Sequence, residues 1–231
     1  LAVTAAAVFG TRPVPARGTG RGLAIPAMIG GGLAVMAGVL VVMVNIRTVQ
    51  ADTLYKQGLG YEGANQWEGS VVLYREASRL QPQEDYFYLF LGRALLQYAD
   101  TREPGTATLP ENLDGVATGN LLDVVDRGIR TGSREGILRA ANAALVAARR
   151  LNPLNTDHSA NLARLSRAWA FTGVVDPSSL SDAPRLREAL QGNPGSISEA
   201  RLTRAIEYYR QAVSLSPQNA GLWNELATTQ Y

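Results

Sequence analysis

The sequence has no cysteine and a single histidine, His158, among its 231 residues. The lack of cysteine excludes a disulfide framework, a thiol nucleophile and any cysteine-ligated metal site. One histidine leaves little for a zinc site or for a serine–histidine relay. The carboxylates show no spacing that suggests a catalytic pair. We therefore predict no catalytic residues, no metal site and no bound cofactor in this stretch of chain.

Acidic residues are missing from the first 47 positions, which carry four arginines at positions 12, 17, 21 and 47. The whole chain has 22 basic and 20 acidic residues, so the remainder has 18 basic and 20 acidic ones. The basic excess therefore lies in a short N-terminal arm. A nucleic-acid-binding protein would cluster its lysines and arginines on one folded face. We expect no nucleic-acid partner.

A run of 23 residues without a charged side chain, GLAIPAMIGGGLAVMAGVLVVMV, occupies positions 22–44. As a helix it would be about 34 Å long, enough to cross a hydrocarbon core of about 30 Å. We predict a transmembrane helix at 22–46. The alternatives are a buried core helix, which would need polar contacts at this length, and a signal peptide, which would have a shorter apolar region.

Small residues recur every four positions in this run, at Gly30, Ala34 and Gly38. Such a stripe lets other transmembrane helices pack closely as partners, although glycine and alanine are common in membrane helices in any case. Residues 1–10 fit the end of a preceding span, and residues 11–21 form a basic loop. Because basic loops stay in the cytoplasm, we predict an integral protein of the cell membrane whose remaining chain is extracytoplasmic.

A helical repeat follows the span, and its first unit reads ADTLYKQGLGYEGANQWEGSVVLYREASRLQP at 51–82. In this unit small residues alternate with aromatic residues. The small residues let two antiparallel helices touch, and the aromatic residues fill the space between hairpins. They are Gly58, Tyr61, Trp67, Ser70, Tyr74 and Ala77, and Pro82 closes the unit. The stretch resembles a tetratricopeptide repeat (TPR), whose period is about 34 residues. The resemblance implies an all-α fold, with a transmembrane helix followed by a TPR-like α-solenoid of helix-turn-helix repeats at 51–231.

Long insertions interrupt the later repeats, because the closing prolines Pro82, Pro153 and Pro217 are 71 and 64 residues apart. We predict repeats at about 51–84, 85–153 and 154–217, followed by a truncated one at 220–231. A short helix is predicted at LLDVVDRGIR, inside the first insertion. The first helix of the third repeat matches the TPR signature poorly, because the pair Leu162-Ala163 stands two positions later than the signature expects. The chain starts at Leu1 and ends within a helix, so we expect it to be part of a longer polypeptide.

The first helices of TPR arrays line a concave face, and counting offsets places five residues there: Tyr55, Leu59, Leu89, Arg93 and Asn224. They are candidates for binding a protein partner, with ordinary packing or solvation as the alternative. His158 is a further candidate, because it could bind an anionic or aromatic ligand on the same face. The alternative for His158 is a polar cluster at a helix start, with Thr156 or Asp157 as the N-cap.

Two functions fit this organisation. The first is a membrane-anchored TPR module that holds a protein partner on its concave face or its insertions, outside the cytoplasm. The second rests on a resemblance, because a last span, an outward TPR array and NPLNTDHSANLARL at 152–165 are similar to the C-terminal part of O-antigen ligase and polymerase-like membrane proteins. That resemblance implies a glycan transferase whose catalytic residues lie upstream. A subunit that docks into a larger membrane complex is a third hypothesis.

Overall fold

The computed structural model describes residues 24–171 and 197–230. The predicted preceding span at 1–10, the basic loop at 11–21 and most of the second insertion lie outside these ranges. Contacts divide the chain into two units, Leu1–Asn45 and Ile46–Tyr231. Within the described residues every regular element is helical, which confirms the predicted all-α fold.

The described residues of the first unit belong to helix α1, which runs from Ala24 to Gly63. Its stretch Met28–Gly63 is long and apolar enough to cross a membrane, and none of its most apolar window is buried. The transmembrane assignment therefore stays a prediction from length and composition. A Cβ atom added at Gly30 or Gly38 would meet no described atom within 4 Å, so helix packing along the small-residue stripe stays a prediction.

The second unit begins with the end of α1 and continues, within the described residues, through seven further α-helices. They are α2 (Trp67–Leu80), α3 (Asp85–Ala99), α4 (Leu121–Arg130), α5 (Arg134–Leu151), α6 (Thr156–Ala170), α7 (Glu199–Leu215) and α8 (Ala220–Gln230). A 3-10 turn at Thr118–Asn120 precedes α4. Helix α4 is the short helix predicted inside the first insertion.

Close helix contacts occur where the sequence has small residues. A Cβ atom added at Gly58 would lie 2.5 Å from the ring of Tyr74, and one added at Gly92 would lie 2.5 Å from Leu145. The Ser70 hydroxyl donates to the carbonyl of Gly58 at 3.1 Å. The end of α1 thus packs on α2, and α3 packs on α5 across the insertion. These pairs are the helical hairpins that the repeat pattern predicts.

The third repeat keeps the register of the second. Helix α6 begins three residues after Pro153, as α3 begins three residues after Pro82. Leu162 and Leu91 therefore occupy the same repeat position, nine residues after the proline, and both are fully buried. The predicted displacement of Leu162-Ala163 by two positions is wrong, because α6 starts at the same distance from its closing proline as α3 does.

The part of the first insertion that precedes α4, residues 101–120, packs against the second helices of two successive repeats. Leu109 and Leu113 are buried, and the guanidinium of Arg150 on α5 donates to the carbonyl of Leu113 at 2.7 Å. The Glu111 carboxylate accepts from Arg201 and Arg204 of α7, each at 2.9 Å. We call this last group, Glu111 with Arg201 and Arg204, the clasp. It connects the insertion of the second repeat to the third.

Candidate functional site

A groove of about 750 Å³ crosses the first-helix face of the second unit, between the end of α1, α3 and α6. Apolar surface comes from Trp67, Leu89, Phe90 and Leu96, with Tyr86 at the side; amides come from Gln97, Asn155 and Asn161; charges come from Glu62, Arg93, Asp157 and Arg164. The groove therefore combines apolar surface with hydrogen-bonding groups from three successive first helices.

Two arginines of the groove are equivalent by repeat position. Arg93 lies eleven residues after Pro82, and Arg164 lies eleven residues after Pro153. Because successive repeats stack in the same way, equivalent side chains project onto the same face. Both side chains are partly exposed, Arg93 at 44% and Arg164 at 42%. The repeat thus presents a pair of guanidinium groups on adjacent helices.

The first of these guanidinium groups is held from the N-terminal side. Arg93 donates to Glu62 Oε1 at 3.2 Å, and the hydroxyl of Tyr74 donates to Glu62 Oε2 at 2.7 Å. The guanidinium carbon of Arg93 also lies 4.9 Å from the ring centroid of Phe90, within cation–π range. Burial and the hydrogen bond to Glu62 raise the pKa of the Tyr74 hydroxyl. That hydroxyl therefore stays a donor and keeps the carboxylate in place.

The second guanidinium group is held from the C-terminal side. Arg164 donates twice to Glu225 of α8, at 2.9 and 2.7 Å, and the hydroxyl of Tyr209 donates to the same carboxylate at 2.8 Å. Burial alone raises the pKa of the Glu225 carboxyl, but the hydrogen bonds from Arg164 and Tyr209 outweigh it and lower the net pKa. The Glu225 side chain is therefore an ionised partner for Arg164 at neutral pH.

The structure brings together only part of the predicted binding set. Leu89 and Arg93 line the groove. Leu59 and Asn224 are exposed but lie outside its lining. Tyr55 is only 7% exposed, and its ring packs 4.8 Å from Tyr86 and 5.0 Å from Phe90, measured between ring centroids. It supports the groove residues from within the core.

His158 lies in the core, which corrects its assignment to the concave face. Its side chain is fully buried, and its Nε2 atom is 2.5 Å from Oδ2 of Asp85 on α3. The N-cap of α6 is Asn155, whose side chain accepts from the backbone of Asp157 at 3.0 Å, rather than Thr156 or Asp157. A side chain without exposed surface cannot touch a partner, so His158 links two first helices.

Several groove residues were absent from the predicted set, above all Arg164, Asn161, Gln97 and Glu62. A count from the closing proline would have found Arg164, because the same count already finds Arg93. Among the described residues no group of three or more histidine or acidic side chains could hold a metal ion.

The helices after Ile46 are TPR-like repeats. Their hairpins meet at the predicted small residues, and their first helices form the groove. Two solved TPR domains are similar to this chain. One is the Arabidopsis OM64 TPR domain, 14% identical, with a TM-score of 0.47, covering 80% of this chain and 97% of that one.

The other is the first TPR of Spaghetti (RPAP3), solved bound to the HSP90 peptide SRMEEVD. It is 14% identical, with a TM-score of 0.45, covering 79% of this chain and 92% of that one. No protein-family model matches the chain, and a search of curated proteins finds no match. The resemblance to O-antigen ligases stays a prediction from the sequence.

Proposed function

We propose that this chain is a membrane-anchored TPR module that binds an extended segment of a partner protein in its groove. The observation that supports this proposal is the groove. Its volume of about 750 Å³ lies within the range of about 300 to 1,000 Å³ that is usual for ligand sites. It is also open along three first helices, so a chain can pass through it.

The chemistry of the lining suits a polypeptide. Trp67, Phe90 and Leu96 offer partly exposed apolar surface for a ligand side chain. Side-chain amides both donate and accept hydrogen bonds, so Gln97 and Asn161 can pair with a ligand's backbone N–H and C=O groups. The arginines keep further N–H donors, because the bonds to carboxylates use only some of the five in a guanidinium group.

The anchor rests on the apolar part of α1. Its large side chains are exposed, with Met28 at 77% and Leu40 at 65%. Apolar surface of this extent marks a contact with a membrane or a protein, and the length of the run suits a bilayer. The extracytoplasmic orientation rests on Arg12, Arg17 and Arg21, which precede the span. In this proposal the groove meets its partner outside the cytoplasm.

The groove can be tested with peptides selected from a displayed random library against the full chain in lipid nanodiscs. We expect Trp67→Ala to weaken a selected peptide about tenfold or more, because buried aromatic side chains dominate peptide affinity. Arg210→Ala is the matched control, since Arg210 is exposed on α7 beside another cavity. Failure to select any peptide, or unchanged binding to Trp67→Ala, would overturn the proposal.

The orientation can be tested with single cysteines, because the chain has none of its own. A cysteine introduced by Glu84→Cys, at an exposed position before α3, should react with a membrane-impermeant maleimide on intact cells. One introduced by Thr19→Cys, in the basic loop, should react only after the cells are permeabilised. The reverse pattern would contradict the orientation, and extraction of the chain by alkaline carbonate would contradict the anchor.

A further inference from the structure

Each groove arginine is neutralised by a carboxylate that the fold itself holds. Tyr74 and Tyr209 lie eight residues before Pro82 and Pro217, so they occupy the same repeat position. Each hydroxyl donates to the carboxylate that pairs with a groove arginine: Tyr74 to the partner of Arg93, and Tyr209 to the partner of Arg164. A carboxylate fixed from two sides is a built-in counterion, unlike a loose surface ion pair.

The remaining charge of the groove is negative. Asp157, in the first turn of α6, lines the groove and is exposed. Within residues 24–171 and 197–230, its carboxylate makes no hydrogen bond and no ion pair. Arg164 interacts with it electrostatically, but two of the Arg164 donors are bound to Glu225. The groove therefore has two neutralised arginines and one carboxylate that still lacks a counterion.

Two local effects act on Asp157, and neither supplies that counterion. The positive end of the helix dipole stabilises an acidic side chain in the first turn, but this partial charge leaves most of the carboxylate's charge uncompensated. The adjacent His158 points into the core, where its Nε2 contacts Asp85. Asn161 donates to the backbone carbonyl of Asp157 at 2.8 Å, so this hydrogen bond does not involve the carboxylate.

We propose that the groove selects peptide segments that place a lysine or arginine beside Asp157, and that it discriminates against acidic segments and free C-terminal carboxylates. This inference rests on the proposed peptide-binding function. An acidic ligand would meet two arginines whose charges Glu62 and Glu225 already neutralise, and it would lie near Asp157, which repels it. A basic side chain would instead pair with the exposed Asp157, which lines the groove.

The test uses the displayed library selected on the full chain in nanodiscs, followed by affinity measurements with synthetic peptides. We expect lysine and arginine to be enriched at one position of the selected peptides. Replacing that residue by glutamate should weaken binding more than replacing it by glutamine does. Asp157→Asn should weaken the basic peptide about two- to fivefold, as expected for one exposed ion pair, and Asp157→Lys should reverse the preference.

Asp123→Asn is the matched control, because Asp123 is also an exposed first-turn aspartate, on α4 and outside the groove. Glu225→Gln sharpens the test from the other side, since glutamine can still accept from Tyr209 but no longer neutralises Arg164. It should raise the affinity for an acidic peptide about two- to fivefold. Circular dichroism of each variant checks that the helices remain folded.

The two proposals fail in different ways. If no peptide is selected, peptide binding itself is wrong. If peptides are selected but are acidic or uncharged, or if Asp157→Asn and Asp157→Lys bind the basic peptide as the wild type does, the charge preference is wrong while peptide binding stands. Basic peptides whose binding depends on Asp157 and not on Asp123 would support both.

Discussion

The groove and the clasp contain the same chemical pair, arginine with carboxylate, in two different environments. In the groove the Arg93 and Arg164 side chains are 44% and 42% exposed. In the clasp the side chain of Arg201 is 18% exposed and that of Glu111 is 25% exposed. Desolvation strengthens a hydrogen-bonded ion pair but makes its disruption costly. The same residue type therefore braces the array on one face and remains available for a ligand on the other.

The surroundings of the clasp explain why its groups are not available. Arg201 lies 4.1 Å from the ring centroid of Trp169, and the indole N–H of Trp169 donates to Glu135 at 2.8 Å. Glu135 in turn accepts from Arg139 at 2.7 Å. Donors and acceptors thus saturate one another, so the clasp connects an insertion to two repeats instead of offering a binding surface.

Loss of the clasp carboxylate should have the largest effect on stability. Glu111→Ala would leave Arg201 and Arg204 without their shared acceptor, and we expect a loss of about 2 to 3 kcal/mol in the free energy of unfolding. Urea denaturation of the full chain in micelles, followed by circular dichroism, measures it. Glu103→Ala, at an exposed position of the same insertion, is the control. Equal losses for both variants would show that the clasp does not brace the array.

Acid should weaken the clasp in a defined direction. Burial raises the pKa of the Glu111 carboxyl, but hydrogen bonds from Arg201 and Arg204 outweigh it, so the net pKa is lowered from 4.5. The stabilisation is therefore full above about pH 5 and is lost as the pH falls through the folded-state pKa. We expect wild type to exceed Glu111→Gln in stability at pH 7 and the difference to shrink below pH 4.5. Urea titrations across that range measure the stability difference between wild type and Glu111→Gln. A difference that stays constant with pH would contradict this expectation.

The groove arginines should contribute least to stability. Arg93→Ala and Arg164→Ala each remove an ion pair with a half-exposed arginine, so we expect losses below about 1 kcal/mol. Arg201→Ala, made in the clasp, provides the contrast and should cost more, because the Arg201 side chain is only 18% exposed and its loss leaves Glu111 without a main partner. Thermal melts of the three variants rank them directly. If a groove variant were as destabilising as Arg201→Ala, the groove arginines would contribute as much to stability as the clasp does, and this expectation would be wrong.

The helical hairpins could be predicted because their signals are local. Small residues such as Gly58 and Ser70 mark where helices touch, and closing prolines mark where one hairpin ends. Helix α4 could likewise be predicted from its apolar periodicity. Arg164 could have been predicted as well, because it lies eleven residues after Pro153, as Arg93 lies eleven residues after Pro82.

No local sequence pattern predicts the clasp. Glu111 and Arg201 are 90 residues apart in sequence, and Glu111 lies in a segment without helical periodicity. Its partners are set by how the insertion folds back over α5 and α7, which depends on the packing of Leu109 and Leu113. The counterions of the groove arginines are similar, because Glu62 and Glu225 come from neighbouring repeats rather than from the arginines' own helices.

The three tryptophans of the chain lie in three separate environments. Trp67 lines the groove, Trp169 lies beneath Arg201 in the core, and Trp223 is half exposed on α8. Indole emission depends on local polarity, so each position gives its own spectrum. Chains that retain one tryptophan, with phenylalanine at the other two positions, would report ligand entry, loosening around the clasp and exposure of the last helix as three independent optical signals, without any attached dye.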